Sequence, residues 1–247
     1  MTEPTTDNAF LGGRLNLLQP ANGFRSGLDA VLLAAAVRAT SGQTVLEAGQ
    51  GAGVASLCLA YRVPGVRVTG LEIDETMVEL ARRNAARNGL GDRVDSLMGD
   101  VAAPPDALRA QRFDQVFANP PFFDEGEALP AKEPGRERAR MGAPGTLERW
   151  VAFCAQRTTS GGHMTILHRA DRLAALLSLL EPRVGGLAVV PLWPRSGVAA
   201  KRVIVSGRVG SRAPLTLLPG LVLHEADGSY TAEADAILRD GAPMIFA

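Results

Sequence analysis

Two adjacent prolines end any strand, and Pro120-Pro121 stand one residue after the apolar run Phe113-Asp114-Gln115-Val116-Phe117-Ala118. Proline has no N–H for a ladder, fixes its own φ, and biases the residue before it towards an extended shape. The run therefore reads as a buried strand that stops at a stiff elbow, Asn119-Pro120-Pro121-Phe122. Such an elbow can hold the Asn119 amide oxygen and the Pro120 carbonyl side by side, aimed at one point. Two fixed acceptors suit a planar amino group with two hydrogens to donate. Phe122 or Phe123 can then stack on the ring that carries it. This is the geometry for methylating an exocyclic base amine or a glutamine side-chain amide. An ordinary Pro-Pro turn has the same four residues, so the elbow needs support from elsewhere.

Support comes upstream. Thr44–Ala48 reads as a short strand ending beside Glu47, followed by Gly49, Gly51 and Gly53 and then a helix. Glycines at such a turn let a ligand approach the backbone, and the helix N-terminus offers free N–H groups. The dinucleotide fingerprint places its third glycine three residues after the second. Here the spacing is two, which fits S-adenosylmethionine, a ligand with no pyrophosphate, better than NAD. The next strand, Arg67–Glu72, ends in an acid about 20 residues past the glycines, the place of a carboxylate that grips ribose hydroxyls. A further one, Arg93–Met98, leads to Asp100, placed to accept from an adenine amino group. Glu47, Gly49, Gly51, Gly53, Glu72, Asp100 and Asn119 are therefore the expected cofactor-side residues. Each acid alone could be a helix cap. All of these features fall at predicted strand ends, where open α/β sheets bind ligands.

The wider pattern agrees. Strands are expected at 44–48, 66–72, 93–98, 113–118, 164–167, 187–192 and 202–206, and helices at 28–40, 53–62, 75–89, 147–158 and 173–180. Alternation of this kind predicts an α/β fold with a parallel sheet and helices on both faces. The closing pair of strands leaves no room for a helix between them, so the last strand should be antiparallel. The fold class is thus a Rossmann-like seven-stranded mixed sheet. No linker or repeat splits the 247 residues, so the chain reads as a single domain over 1–247. Within it, polar residues 1–8 are expected to be disordered, and 9–40 form a strand-and-helix extension.

Taken together, these motifs resemble the class I S-adenosylmethionine-dependent methyltransferases. More closely, they resemble the bacterial tRNA1(Val) (adenine(37)-N6)-methyltransferase family. The resemblance includes Phe24-Arg25-Ser26-Gly27-Leu28-Asp29-Ala30-Val31-Leu32-Leu33, the elbow with Phe123, Arg136-Glu137-Arg138-Ala139-Arg140, and Asp227-Gly228-Ser229-Tyr230-Thr231. The chain departs from the family pattern at Leu28, Gln50 and Phe123. The resemblance implies N6-methylation of an adenine in a tRNA anticodon loop, with Asn119, Pro120 and Phe122 at the reacting amine. It also makes Arg138 and Arg140 substrate-side candidates. The elbow chemistry leaves three alternatives open: rRNA guanine-N2 methylation, protein glutamine methylation, and a catalytically silent RNA-binding module.

Charge locates a substrate surface. Basic and acidic residues balance at 26 each, yet no acid lies between Pro182 and His224, a span holding six basic residues from Arg183 to Arg212. A one-sign stretch is a phosphate-binding candidate. The strand ending at Leu192 should expose its exit loop on the ligand edge, making Trp193, Arg195 and Lys201 RNA candidates. The three histidines show no metal-ligand spacing, so no metal is expected. Cys58 and Cys154 sit in apolar helical stretches and read as buried thiols of a reducing cytoplasm. No apolar run approaches the roughly 18 residues of a membrane span. Self-association, as monomer or homodimer, stays open.

Overall fold

The computed structural model describes residues 4–23, 25–124, 141–142 and 145–246. An N-terminal hairpin, β1 (Thr5–Phe10) and β2 (Leu15–Pro20), precedes α1 (Leu28–Ala36). Strands and helices then alternate: β3 (Thr44–Ala48), α2 (Val54–Arg62), β4 (Arg67–Glu72), α3 (Glu75–Arg87), β5 (Val94–Met98), α4 (Asp106–Arg109) and β6 (Phe113–Ala118). Two-residue strands β7 (Phe123–Asp124) and β8 (Met141–Gly142) pair after the elbow. Then come α5 (Thr146–Arg157), β9 (Thr158–Arg169), α6 (Leu173–Leu180), β10 (Val184–Arg195) and β11 (Arg202–Val209). The chain then forms β12 (Thr216–Leu217), β13 (Leu221–His224) and α7 (Ala232–Asp235), which runs on into a π-helical turn over Ala236–Asp240.

Seven of these strands make the expected sheet, in the order β10-β11-β9-β6-β3-β4-β5. Strand β11 runs antiparallel to both neighbours, and the other pairs are parallel. The short β12 and β13 add two strands in parallel register to the outer side of β10. Alternation along each strand splits the apolar residues between two cores, because successive side chains point to opposite faces. Val45, Phe117 and Ile204 pack with α1 and α2 on one face, while Leu46, Val116 and Val205 pack with α5 and α6 on the other. Cys58 and Cys154 are free and buried within these two layers. Among the described residues no helix is long and apolar enough to cross a membrane.

Two expectations need correction. Residues 5–8 are not disordered: they lie in β1, paired with β2 in antiparallel register. Their polarity hides distant partners. Arg87 of α3 ion-pairs with Asp7, and Arg25 donates to Asn8 Oδ1 at 2.9 Å. Strand β9 is longer than 164–167 because glycine extends rather than delays it. Gly161, at φ +80°, lets β9 bulge between Thr158 and His163 and keep its pairing with β6.

The hairpin is fastened to the ligand edge by one fully buried side chain. Asn84 of α3 accepts from Leu18 N at 2.8 Å and donates to the Leu18 and Ala52 carbonyls at 2.9 Å each. One amide thus ties the hairpin to the turn that follows β3.

Candidate active site

The C-terminal ends of β3, β4, β5 and β6 meet at one edge. Register sets Ala48 beside Leu71 on one side and Ala118 on the other, and Glu72 beside Met98. The glycine turn after β3 therefore lies between the acid end of β4 and the elbow after β6. Gly49, Gly51 and Gly53 have φ of 71°, 55° and 86°, a region that glycine enters without strain. The Gly49 and Gln50 N–H groups donate to the Leu71 carbonyl at 2.8 and 3.0 Å. Above Gly51 nothing lies within 4 Å of where a Cβ would sit, so a ligand can reach its backbone.

Glu72 is aimed by backbone donors. Its Oε2 accepts from Gly51 N at 2.8 Å, and its Oε1 accepts from Ile73 N at 2.9 Å and Asp74 N at 3.0 Å. Oε1 is thus fully used by two donors, while Oε2, with one, keeps lone-pair capacity for a hydroxyl. Gly99 N donates to the Glu72 carbonyl at 2.8 Å, bringing the end of β5 alongside. Asp100 follows on the surface, with Oδ1 accepting from Ala102 N at 2.8 Å. Ile73 and Met98 stand beside these acids with 66% and 57% of their surface exposed. Sequence reasoning passed over both, because an apolar residue at a strand end looks like core until its exposure is seen.

Glu47 is buried beneath the turn. Ser56 donates to its Oε2 through N (3.0 Å) and through its hydroxyl. Burial pushes this carboxyl up to about 8, against the opposing pull of the Ser56 donors, and the nearby Glu72 adds to the rise. Gln50, the unusual residue of the turn, is also buried; its Nε2 donates to Ser56 Oγ at 3.2 Å. From the other side the Trp150 indole of α5 presses against Gly49, where a Cβ would collide with it.

The elbow supplies the other half of the site. Asn119 Oδ1 is buried and has no hydrogen-bond partner among the described residues. A buried acceptor left open costs about 1–3 kcal/mol unless something completes it, and Asn119 Oδ1 is such an acceptor at the end of β6. Pro120, next in the chain, is also buried. The Phe122 ring meets the His168 ring edge-on, with centroids 5.6 Å apart at 74°, and the Arg202 guanidinium carbon lies 4.4 Å over its centroid. His168 is almost fully buried, and neither ring nitrogen has a hydrogen-bond partner among the described residues. Burial lowers its imidazole to about 4, with Arg172, Arg169 and Arg202 adding to the fall. The Pro121 carbonyl pulls the other way, but it lies outside hydrogen-bonding geometry, so the ring is neutral.

The site-residue expectations thus separate into groups. Glu47, Gly49, Gly51, Gly53, Glu72, Asp100, Asn119, Pro120 and Phe122 come to one edge. Phe123 pairs through its backbone with Met141. Arg138 and Arg140 lie outside the described residues. Arg195 and Lys201 reach the same edge as the elbow, at the end of β10 and just before β11. Trp193 is there too, with its indole N–H donated to the Pro219 carbonyl at 2.9 Å. The acid-free stretch is not one surface: Arg183 and Arg208 lie at the opposite end of the sheet, where Val184 pairs with Val209. Among the described residues no cluster of three or more His, Cys, Asp or Glu could hold a metal.

The open backbone at Gly51, the aimed Glu72 carboxylate and the orphaned Asn119 oxygen fit S-adenosylmethionine next to an amine. Comparison with known proteins agrees. A family model described as the methyltransferase small domain matches residues 26–132. A tRNA1(Val) (adenine(37)-N6)-methyltransferase of Porphyromonas gingivalis is 31% identical over 236 residues, covering 89% of this chain and 89% of the relative. A crystal structure described as a predicted O-methyltransferase from Agrobacterium tumefaciens superposes with a TM-score of 0.72 at 28% identity, over 87% of this chain and 98% of the other. A Thermus thermophilus 16S rRNA N2 methyltransferase, in complex with AdoMet and guanosine, superposes with a TM-score of 0.57 at 21% identity. This match covers 83% of this chain and 50% of the other, and attests the fold.

Proposed function

The chain belongs to the tRNA1(Val) (adenine(37)-N6)-methyltransferase family, and on that premise we propose that it methylates the N6 amino group of an adenine in the anticodon loop of a tRNA. The observation that carries the assignment to an amine is the buried Asn119 Oδ1 at the end of β6, which has no partner among the described residues.

In this reading the glycine turn, Glu47, Glu72 and Asp100 hold S-adenosylmethionine, and Ile73 and Met98 cover the flat faces of its adenine. The cofactor supplies an electrophilic methyl on a sulfonium centre. The chain's own residues prepare the nucleophile. An adenine amino lone pair is delocalised into the ring. The Asn119 oxygen and the Pro120 carbonyl accept its two hydrogens and favour a pyramidal nitrogen. As positive charge grows on that nitrogen, the same two dipoles stabilise it without reorganising. No base is needed before transfer: the methyl would leave the sulfonium with its bonding pair remaining on sulfur, giving the neutral thioether S-adenosylhomocysteine, and the methylated nitrogen would then release its extra proton to water. The adenine must leave its stack, and Phe122 offers it a surface to lie against. A hydroxyl brings only one hydrogen to the acceptor pair, which favours nitrogen over oxygen as the acceptor. Arg195 and Lys201 would meet the phosphates around the flipped base.

The test is transfer of labelled methyl from S-adenosylmethionine to total tRNA, rRNA and protein in separate reactions. Label in tRNA that digests to N6-methyladenosine is the expected result. Label confined to rRNA guanine or to protein glutamine would reject the adenine assignment.

A further inference from the structure

We propose that Arg202 is a positioning residue for methyl transfer: held by Asp29, it fixes the plane of the Phe122 ring in the elbow. The inference rests on the reading above, in which Phe122 faces the base.

Three elements converge on that ring. Arg202 opens β11, and its guanidinium lies over the face of Phe122. Its Nε donates to Asp29 Oδ2 of α1 at 3.2 Å. The two side chains are only 31% and 27% exposed, so water screens the pair less than it would a surface pair. From β9, His168 meets the same ring edge-on. His168 is neutral and makes no hydrogen bond among the described residues, so it serves here as a packing surface. Arg202 thus bridges the first turn of α1 and the elbow.

The chemistry follows from the shape of the groups. A phenyl ring has two faces, and the guanidinium occupies one, so a base can stack only on the other. Arginine suits this place because its planar group can stack and still donate sideways to a carboxylate, which an ammonium cannot do. Fixing the plane of Phe122 fixes the depth and tilt of a base lying on it, and with them the approach of its amine to Asn119. Arg202 acts through Phe122 and touches no reacting atom. The arrangement also gives Asp29 a purpose: the segment Arg25–Leu33 stands out in the sequence, and its acid anchors the arginine.

A double-mutant cycle on the full chain tests this, with Arg202→Ala and Phe122→Leu alone and together. The readouts are kcat at saturating cofactor, KM for the RNA, and Kd for S-adenosylhomocysteine. Arg202→Ala should lower kcat about tenfold and leave the Kd within about twofold. In the Phe122→Leu background the same change should have almost no further effect, because residues acting as a unit are non-additive. Asp29→Asn should follow Arg202→Ala with a smaller loss. Arg202→Met, which keeps the apolar stem, guards against a folding defect and should match Arg202→Ala. Equal fold-losses in both backgrounds would overturn the proposal. So would a change confined to RNA KM, which would make Arg202 a phosphate contact. The cycle can be run on whichever substrate accepts the methyl, so product identity tests the function and coupling tests the positioning.

Discussion

Gln50 and Gly70 share one space: the Gln50 amide lies where any side chain at position 70 would have to begin. Gly70 is in the middle of β4, and Gln50 is in the turn after β3. Gly70→Ala should therefore push Gln50 out of its bond to Ser56 and loosen the turn. Overpacking of this kind costs about 1–3 kcal/mol. Cofactor affinity should fall, and Gln50→Ala should restore it in the double variant. Measuring Kd and melting temperature for the four proteins checks the coupling. Purely additive losses would show that the two positions are independent.

Glu47 makes stability depend on pH. Its carboxyl is raised from 4.5 to about 8 in the folded chain. Below 4.5 it is protonated in both states. Between these values the folded chain keeps a proton that the unfolded chain has released, so stability falls as pH rises, by at most about 1.4 kcal/mol per pH unit. Glu47→Gln should flatten this slope. Urea unfolding from about pH 5 to about pH 8 compares the two, and parallel curves would contradict the buried, protonated carboxyl.

Asn119→Ala removes an acceptor aimed at the reacting amine. The rate constant should fall about a hundredfold or more, while cofactor Kd stays close to the parent's. Single-turnover rates alongside Kd separate the two effects. A variant as fast as the parent would remove Asn119 from the mechanism.

Trp150 presses on the first glycine of the turn, and the chain has only two tryptophans. In a Trp193→Phe protein, emission from Trp150 should change when S-adenosylhomocysteine binds, and Trp150→Leu should weaken binding about tenfold. An unchanged spectrum, together with unchanged affinity, would place Trp150 outside the influence of the cofactor.

Much of the site is legible because it depends on local rules. Pro120-Pro121 must end a strand, glycines at 49, 51 and 53 must turn, and Glu72 and Asp100 follow apolar runs. These patterns located β3, β4, β5 and β6 to within one residue. The failures share one physical origin. Asp7 and Asn8 look solvated until Arg87 and Arg25 arrive from the folded chain. The basic stretch looks like one surface until the reversal between β10 and β11 sends Arg195 and Arg208 to opposite ends of the sheet. Lys201 draws notice as the charge in the exit loop, yet its neighbour Arg202 reaches the elbow.

The sequence by itself determined the succession of the seven central strands, the edge at which the glycine turn, the acids and the elbow come together, and the stiffness of that elbow. Each of these follows from backbone preferences and from side-chain periodicity over a few residues. Only the tertiary structure decided that Asn119 Oδ1 has no partner among the described residues, that Gln50 rests on Gly70, and that Asp29 holds Arg202 over the Phe122 ring. Those facts join residues as far as 173 positions apart, and contacts at that separation exist only once the sheet has brought its strands together.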